Sequence, residues 1–385
     1  MTTVNFFTYR DAIRHCADYL GVPPEAQAKR DCRRAVLESY REFSAASRWF
    51  YYFQRGRINT SAPQTTGTVT YVSATRQLTL TGATWPSWVT FGVVVIQNIT
   101  YDVDTSVSST VVTLSTNACP NADISTATQY TLYRDTYPLP ADCLQVDQLV
   151  DVGNQTIPCY VNPRDWLQQQ RITKSPARPR DYTITSDPHY FGTMAIRFFP
   201  PPDTVYEFDF MYQRQPRQLR WDDVNAGTVS IAASSAVVTG TGTAFDSRYA
   251  GSVIRTSTTS TDSPEALTWE TPYDQERVIL TYTSTTSVTV DTTYPTTYSG
   301  VKYIISDPID IEAGAMLNCF LRCCEKNLSY SRKDKNIISL AEQNWRFALM
   351  AAREADARHF QPQVAGEYGV HATRLSLMPR GPDMS

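Results

Sequence analysis

The sequence contains no run of about 18 or more apolar residues, so no segment of it is long enough to cross a bilayer as a helix. Its opening, "MTTVNFFTYRDAIRHC", lacks the basic stretch followed by an apolar stretch that marks a secretory leader, and folding in a cytoplasm is the expectation. Cysteine is scattered over eight positions, 16, 32, 119, 143, 159, 319, 323 and 324, with no C-x-x-C pair. A chain of this length has core enough without disulfide staples, so reduced, packed thiols are expected. Histidine is scarcer still, at four residues, and none lies near Cys319, Cys323 and Cys324. A tetrahedral metal site needs four converging ligands, so neither a metal nor another cofactor is expected. Charge is low as well, at 19% of residues. With 23 Tyr and abundant Ser and Thr, that balance tilts toward β structure, where branched and aromatic side chains suit a pleated, half-buried surface.

What is present is distributed unevenly. The 385 residues suffice for roughly two to three folding units. The formal net charge of −3 hides a basic start, since residues 1–60 hold ten Lys and Arg against six Asp and Glu. Residues 61–136 hold two basic and four acidic residues, and residues 227–307 hold four and eight. Those two Thr-rich stretches repel phosphates instead of gripping them.

From Phe7 to about Phe53 the pattern is helical, broken at "GVPPEA", where Gly21, Pro23 and Pro24 end one helix before another begins. On the second helix Val36, Phe43 and Phe50 recur every seven residues on one face, and Arg34, Arg41 and Arg48 recur on roughly the opposite face. The helix is expected to close on the aromatic cluster Trp49 to Phe53. "GTVTYVSATRQLTLTGATW" at 67–85 and "GTVSIAASSAVVTGTGTAF" at 227–245 then open two strand-rich passages in the same order. Trp85 matches Phe245, Gly92 matches Gly251, "VVTL" matches "SVTV" and Tyr130 matches Tyr303. The second copy carries an extra loop, "TSTTSTDSPEALTWETPYDQ", at a connection suited to insertion. This reads as an internal duplication of a small β barrel or sandwich.

Between the copies, "MAIRFFPPPDTVYEFDFMYQRQPRQL" pairs two strand patterns across Pro200–Asp203 as a hairpin, with Tyr206, Phe208, Phe210 and Tyr212 on one packed face. "NPRDWLQQQRI" suits a short helix. After the second copy, Asp307 as N-cap with Pro308 next starts a helix bearing Leu317, Leu321, Cys324 and Leu328. A break near "SYSRKDKN" precedes another helix with Ile338, Ala341, Trp345, Ala348 and Ala352 in one stripe. From residue 361 on, Pro and Gly interrupt any periodicity, which suggests an extended arm whose apolar residues dock on a partner.

Traces of catalysis are thin. Glu38 and Glu42 lie four apart on a helix, but Arg34 and Arg41 are within reach of them, so a salt-bridged surface explains them. "GTGTAF" lacks the third Gly, the Lys and the following helix of a phosphate loop and reads as a hairpin turn. His15, His189, His359 and His371 fall in no triad spacing. No helix-turn-helix, RRM or zinc-finger pattern supports base recognition, and the Arg34, Arg41 and Arg48 face suits a subunit contact.

The helical pair ending in "FSAASRWFYYFQRGRI", the "FPPPDTVYEFDFMYQRQP" passage and the C-terminal helical pair resemble the head-to-tail adaptor proteins of tailed bacteriophages. The "GTVSIAASSAVVTGTGTAFDSRYAGSVI" passage is similar to Ig-like or small-barrel insertions in phage structural proteins. The resemblance implies an α+β fold: a discontinuous helical bundle of N- and C-terminal helices, a central β-hairpin region, two inserted all-β modules and a C-terminal arm. The expected segments are 1–60, 137–226 and 308–360 for the core, 61–136 and 227–307 for the modules, and 361–385 for the arm. The implied function is a non-enzymatic virion component, assembled in the host bacterial cytoplasm and forming a ring, usually of twelve subunits, between portal and tail. Its implied partners are the portal protein, the tail nozzle (tubular) protein or tail fibres, further copies of itself, and double-stranded DNA passing through without sequence recognition, with no membrane. The portal-binding role falls on the arm, through Phe360, Val364, Tyr368, Val370, Arg374, Leu375, Leu377 and Met378. Two other function classes compete: a fibre, spike or glycan-binding component using Trp85, Trp88 and Trp269 as sugar platforms, and a peptidoglycan hydrolase.

Overall fold

The computed structural model describes residues 6–21, 26–169, 175–187, 189–265, 271–332 and 335–360. They form an α+β architecture of five helices and four sheets. Their contacts divide them into two units, one running to Tyr51 and resuming at Leu219, the other spanning Tyr52–Gln218.

Helix α1 (Tyr9–Leu20) opens on a capping box in which the Thr8 side chain accepts the Asp11 N–H and the Asp11 carboxylate accepts the Thr8 N–H. It ends at Gly21, whose φ of 63° is left-handed. Helix α2 (Ala26–Ala46) buries Cys32, Ala35, Val36, Ser39, Tyr40 and Phe43. The seven-residue pattern applies to Val36 and Phe43 and then fails, because α2 stops at Ala46. The chain turns there so that Trp49, not Phe50, enters the core. The Trp49 ring stacks on Phe43 at 4.8 Å, and its indole N–H donates to the Phe43 carbonyl at 2.9 Å. Phe50 is 42% exposed, and for the same reason Arg48 lies off the helix that bears Arg34 and Arg41.

The second unit starts with β1 (Phe53–Asn59), which begins where the helical pattern was expected to end. There follow β2 (Thr68–Val72), β3 (Gln77–Thr81), β4 (Gly92–Ile96), β5 (Ile99–Ser106), β6 (Val111–Leu114), β7 (Ile124–Thr128) and β8 (Tyr130–Arg134), which form one sheet in the order β7-β2-β3-β6-β5-β4-β8. Next come β9 (Thr136–Pro138), β10 (Cys143–Asp151), β11 (Cys159–Tyr160), α3 (Pro163–Gln169), β12 (Asp181–Ser186), β13 (Met194–Phe199) and β14 (Glu207–Arg214). The strands on either side of the three prolines do not pair as a hairpin. Strand β13 belongs to the sheet β11-β12-β13-β9, and β14 belongs to β1-β14-β10. Pro200, Pro201 and Pro202 have no N–H to donate to a ladder, so the chain leaves one sheet and enters the other. The two sheets share one core, in which Phe198 and Phe208 stack at 4.6 Å with Phe210, Tyr212, Ile196 and Tyr182 around them.

In the first unit, β15 (Thr228–Ile231), β16 (Val237–Thr241), β17 (Val253–Thr256), β18 (Gln275–Ser284), β19 (Ser287–Val290), β20 (Tyr298–Val301) and β21 (Tyr303–Ser306) take the order β20-β15-β16-β19-β18-β17-β21. Strand for strand this is the topology of the sheet β2–β8. The likeness extends to side chains. Trp85 meets the Tyr130 ring edge-on at 5.3 Å and Phe245 meets Tyr303 at 5.8 Å, while the two hydroxyls donate to the carbonyls of Thr66 and Ala226. Gln64 bridges Leu132, and Val224 bridges Ile305. Since Val94 pairs with Leu132 and Ile254 with Ile305, Gly92 corresponds to Ser252, one residue from the expected Gly251.

Asp307 and Pro308 do not open a helix. Asp307 is buried, and its carboxylate accepts the backbone N–H groups of Arg220 and Trp221 and the Ser252 hydroxyl. A buried carboxylate committed to three donors cannot also cap a helix. Helix α4 (Ala315–Arg332) begins later and is followed by α5 (Lys335–Phe360). Helix α4 packs on α1, α2 and α5. Its buried apolar residues are accordingly Met316, Cys319, Phe320, Cys323, Cys324 and Leu328, while Leu317 and Leu321 are half-buried. Phe320 lies edge-on to Tyr40 and Phe43.

Candidate assembly surfaces

Helices α1 and α2 are tied to the segment ahead of β15 and to the β17–β18 connection by a lattice of charges. Arg10 bonds Asp223, Arg14 bonds Glu265, Lys29 bonds Asp223, and Arg33 bonds Asp222. Deeper in, the nearly buried Arg255 on β17 donates from Nε to Glu276 at 2.7 Å, from Nη1 and Nη2 to Asp11 at 2.8 Å, and from Nη2 to the Phe6 carbonyl at 2.8 Å. Its guanidinium also lies 4.6 Å from the centre of the Tyr273 ring. Burial disfavours the Arg255 charge, but the bonds and attraction from Asp11 and Glu276 outweigh it and push its pKa up. Arg10, by contrast, is lowered to about 10, by burial first and then by neighbouring Arg14.

Glu265 and Tyr273 both lie on the connection between β17 and β18, the extra loop of the second copy. The first copy closes the same connection with Gln97 and Asn98, both at positive φ, in a two-residue hairpin turn. The longer connection therefore carries groups that hold this sheet to α1. Removing one partner from such a buried network would leave an uncompensated buried charge. Among the described residues no group of three or more His, Cys, Asp or Glu could hold a metal.

Two surfaces of the helices remain open. On α2, Arg34 and Arg41 are exposed, with the Arg34 Nε donating to Glu38 at 2.8 Å; Arg48 is exposed beyond the helix end. A groove of about 270 Å³ lies beside Arg34, lined also by Asp31, Ala35, Glu38, Asn327, Leu328 and Tyr330. On α5, Ala341, Ala348 and Ala352 are buried, while Leu340, Phe347 and Met350 are 60%, 62% and 68% exposed. Of the arm residues, Phe360 ends α5, and Val364, Tyr368, Val370, Arg374, Leu375, Leu377 and Met378 lie outside the described residues.

The other sequence candidates disperse. Glu38 serves Arg34, whereas Glu42 accepts Lys326 and Asn327, not Arg41; burial opposes its charge, yet these bonds hold its carboxyl below the usual range. His15 bonds Glu325 at 3.1 Å, His189 meets the Thr90 carbonyl at 2.7 Å, and His359 stacks on Phe50; His371 lies outside the described residues. Trp85 is buried in the core of the sheet β2–β8 and cannot present its ring to a sugar; Trp88 packs partly buried against that core, and Trp269 lies outside the described residues. Sequence reading missed a cleft of about 390 Å³ whose lining includes Phe91, Asp102, Asp104, Asp135, His189 and Arg197, with Arg197 bonded to Asp135 at 2.6 Å. The available signal was a charged residue inside an apolar strand, Arg197 in "MAIRFF" and Arg255 in "GSVIRT".

The model of the SU10 adaptor protein family matches residues 111–241, from β6 to the end of β16 and about a third of the chain. The match supports reading the chain as a phage structural adaptor. No curated protein matches the chain.

Proposed function

We propose that the chain is a head-to-tail adaptor of a tailed phage, a non-enzymatic virion protein that forms a ring between portal and tail and lines the channel through which DNA leaves. The observation that carries this reading is the adaptor-family match over residues 111–241, which include the Pro200–Pro202 crossing. The discontinuous helical core is supported by the packing of α4, late in the chain, on α1 and α2 at its start. Within that core we assign 1–60, 137–226 and 308–360, with 61–136 and 227–307 as β modules added to it. A topology used twice supports that assignment, since a self-contained sheet enters a host loop without redesign of the host core. Mildly acidic module surfaces let DNA pass without trapping it. Twelve subunits, assembly in the host cytoplasm and contact with tail nozzle or fibres come from the family resemblance. Arg34, Arg41 and Arg48 are assigned to subunit contacts and the arm from Phe360 to the portal.

The test mixes purified full-length chain, or chain ending at residue 360, with portal rings and images the products by electron microscopy. The expected outcome is a second ring on portals given the full chain and bare portals with the truncated one. Equal attachment of the truncated chain would remove the arm's role, and no attachment of the full chain would end the adaptor reading.

A further inference from the structure

The exposed face of α5 and the groove between α2 and α4 belong to one helical layer, since α4 packs on both α2 and α5. Helix α5 has turned its small residues Ala341, Ala348 and Ala352 inward and left three large apolar side chains in water. Side chains this exposed on one stripe of a 26-residue helix mark a contact surface. The groove offers what that stripe lacks. Its floor includes the buried Ala35 and Leu328, and its rim includes Arg34 and Tyr330. The volume, about 270 Å³, admits an aromatic ring.

Spacing and charge select the occupant. Phe347 and Glu354 are seven residues apart on α5, as Arg34 and Arg41 are on α2, a repeat of about 10.5 Å on each helix. With Phe347 in the groove beside Arg34 and the helices parallel, Glu354 stands opposite Arg41. Glu354 is 74% exposed and otherwise serves Arg358 within its own helix. Arginine stems cover apolar surface while their heads stay wet, and the guanidinium favours an aromatic face. Resting on the adaptor reading, we infer that α5 of one copy docks into the α2/α4 groove of the next, Phe347 filling the groove and Glu354 pairing with Arg41. Because the two surfaces differ, the contact is head-to-tail, the type that closes into rings instead of two-fold dimers.

The test places a benzophenone-bearing phenylalanine analogue at position 347 of the full chain in phage particles and irradiates them. A dimer-sized adduct mapping to residues 27–41 or 327–330 is expected. An adduct within one chain, to residues 361–385, to another virion protein, or no adduct at all overturns the inference. A companion series compares Arg41→Glu, Glu354→Arg and their combination. Each single change is expected to lower the yield of tailed particles about tenfold or more while the isolated chain keeps its thermal transition, with most of the yield regained in the double variant; failure of the double variant to recover argues against the pairing. If the unaltered chain is absent from particles, the adaptor reading itself falls. If it is present and the adduct maps elsewhere, only the docking inference falls.

Discussion

Gly67 and Gly227 explain at the level of single residues why the chain repeats "GTV". Both have positive φ, 94° and 83°, and a Cβ added to either would come within 2.5 Å and 2.3 Å of the carbonyl oxygens of Thr81 and Thr241. Opposite them Gly82 and Gly242, also at positive φ, lie close enough that an added Cβ would touch the facing glycine at 3.7 Å. Gly67→Ala or Gly227→Ala is expected to destabilise the chain by about 1–3 kcal/mol, measured by urea unfolding, because strain and clash act together. Asp151 makes a second prediction. Its buried carboxylate is held below the usual range first by the bidentate bond from Arg178 and also by the N–H groups of Asn154 and Gly153, against the opposing effect of burial. A depressed carboxyl contributes stability that is complete above its unfolded value near about pH 4 and is lost as pH falls through the lower folded value. Asp151→Asn is therefore expected to cost about 1.5–3 kcal/mol at pH 7 and to flatten the fall in stability on acidification, followed by chemical unfolding between pH 7 and pH 3.

The end of α2 is where element-level patterns ceased to predict. A seven-residue apolar repeat says which face of a helix is buried but not where the helix stops, so it pointed to Phe50 where the structure buries Trp49. Trp49→Ala is expected to cost about 3–5 kcal/mol, since the fully buried ring and its indole N–H both lose partners. Phe50→Ala should cost under about 1 kcal/mol. Thermal unfolding of both variants checks the ordering, and equal losses would contradict the core placement. The Pro200–Pro202 crossing shows the same limit: alternation correctly marked Phe208, Phe210 and Tyr212 as one packed face, but it cannot say which strand lies alongside. Asp307 looked like a helix cap because capping is local, whereas its actual donors lie some 55 and 86–87 residues away in sequence.

For the whole molecule, the proposed ring and its docking contact depend on surfaces supplied by different parts of the chain, and the portal-mixing and cross-linking experiments test them at that scale. The repeated strand order was readable in the sequence because strand patterns, turn residues and a few core aromatics recur there in the same succession. The helical periods of α4 and α5 and the packed face of β14 were readable for the same reason: side-chain period is a local property of the backbone. What only tertiary structure decided was partnership. The sequence marked the extra loop of the second copy, but not that Arg255 joins Asp11 and Glu276 or that the loop supplies Glu265 and Tyr273 to the lattice around α1. It placed Phe347 on a helix without saying that this side chain would be left in water. Burial and charge pairing are set by residues hundreds of positions apart, and one-dimensional spacing does not determine which of them meet.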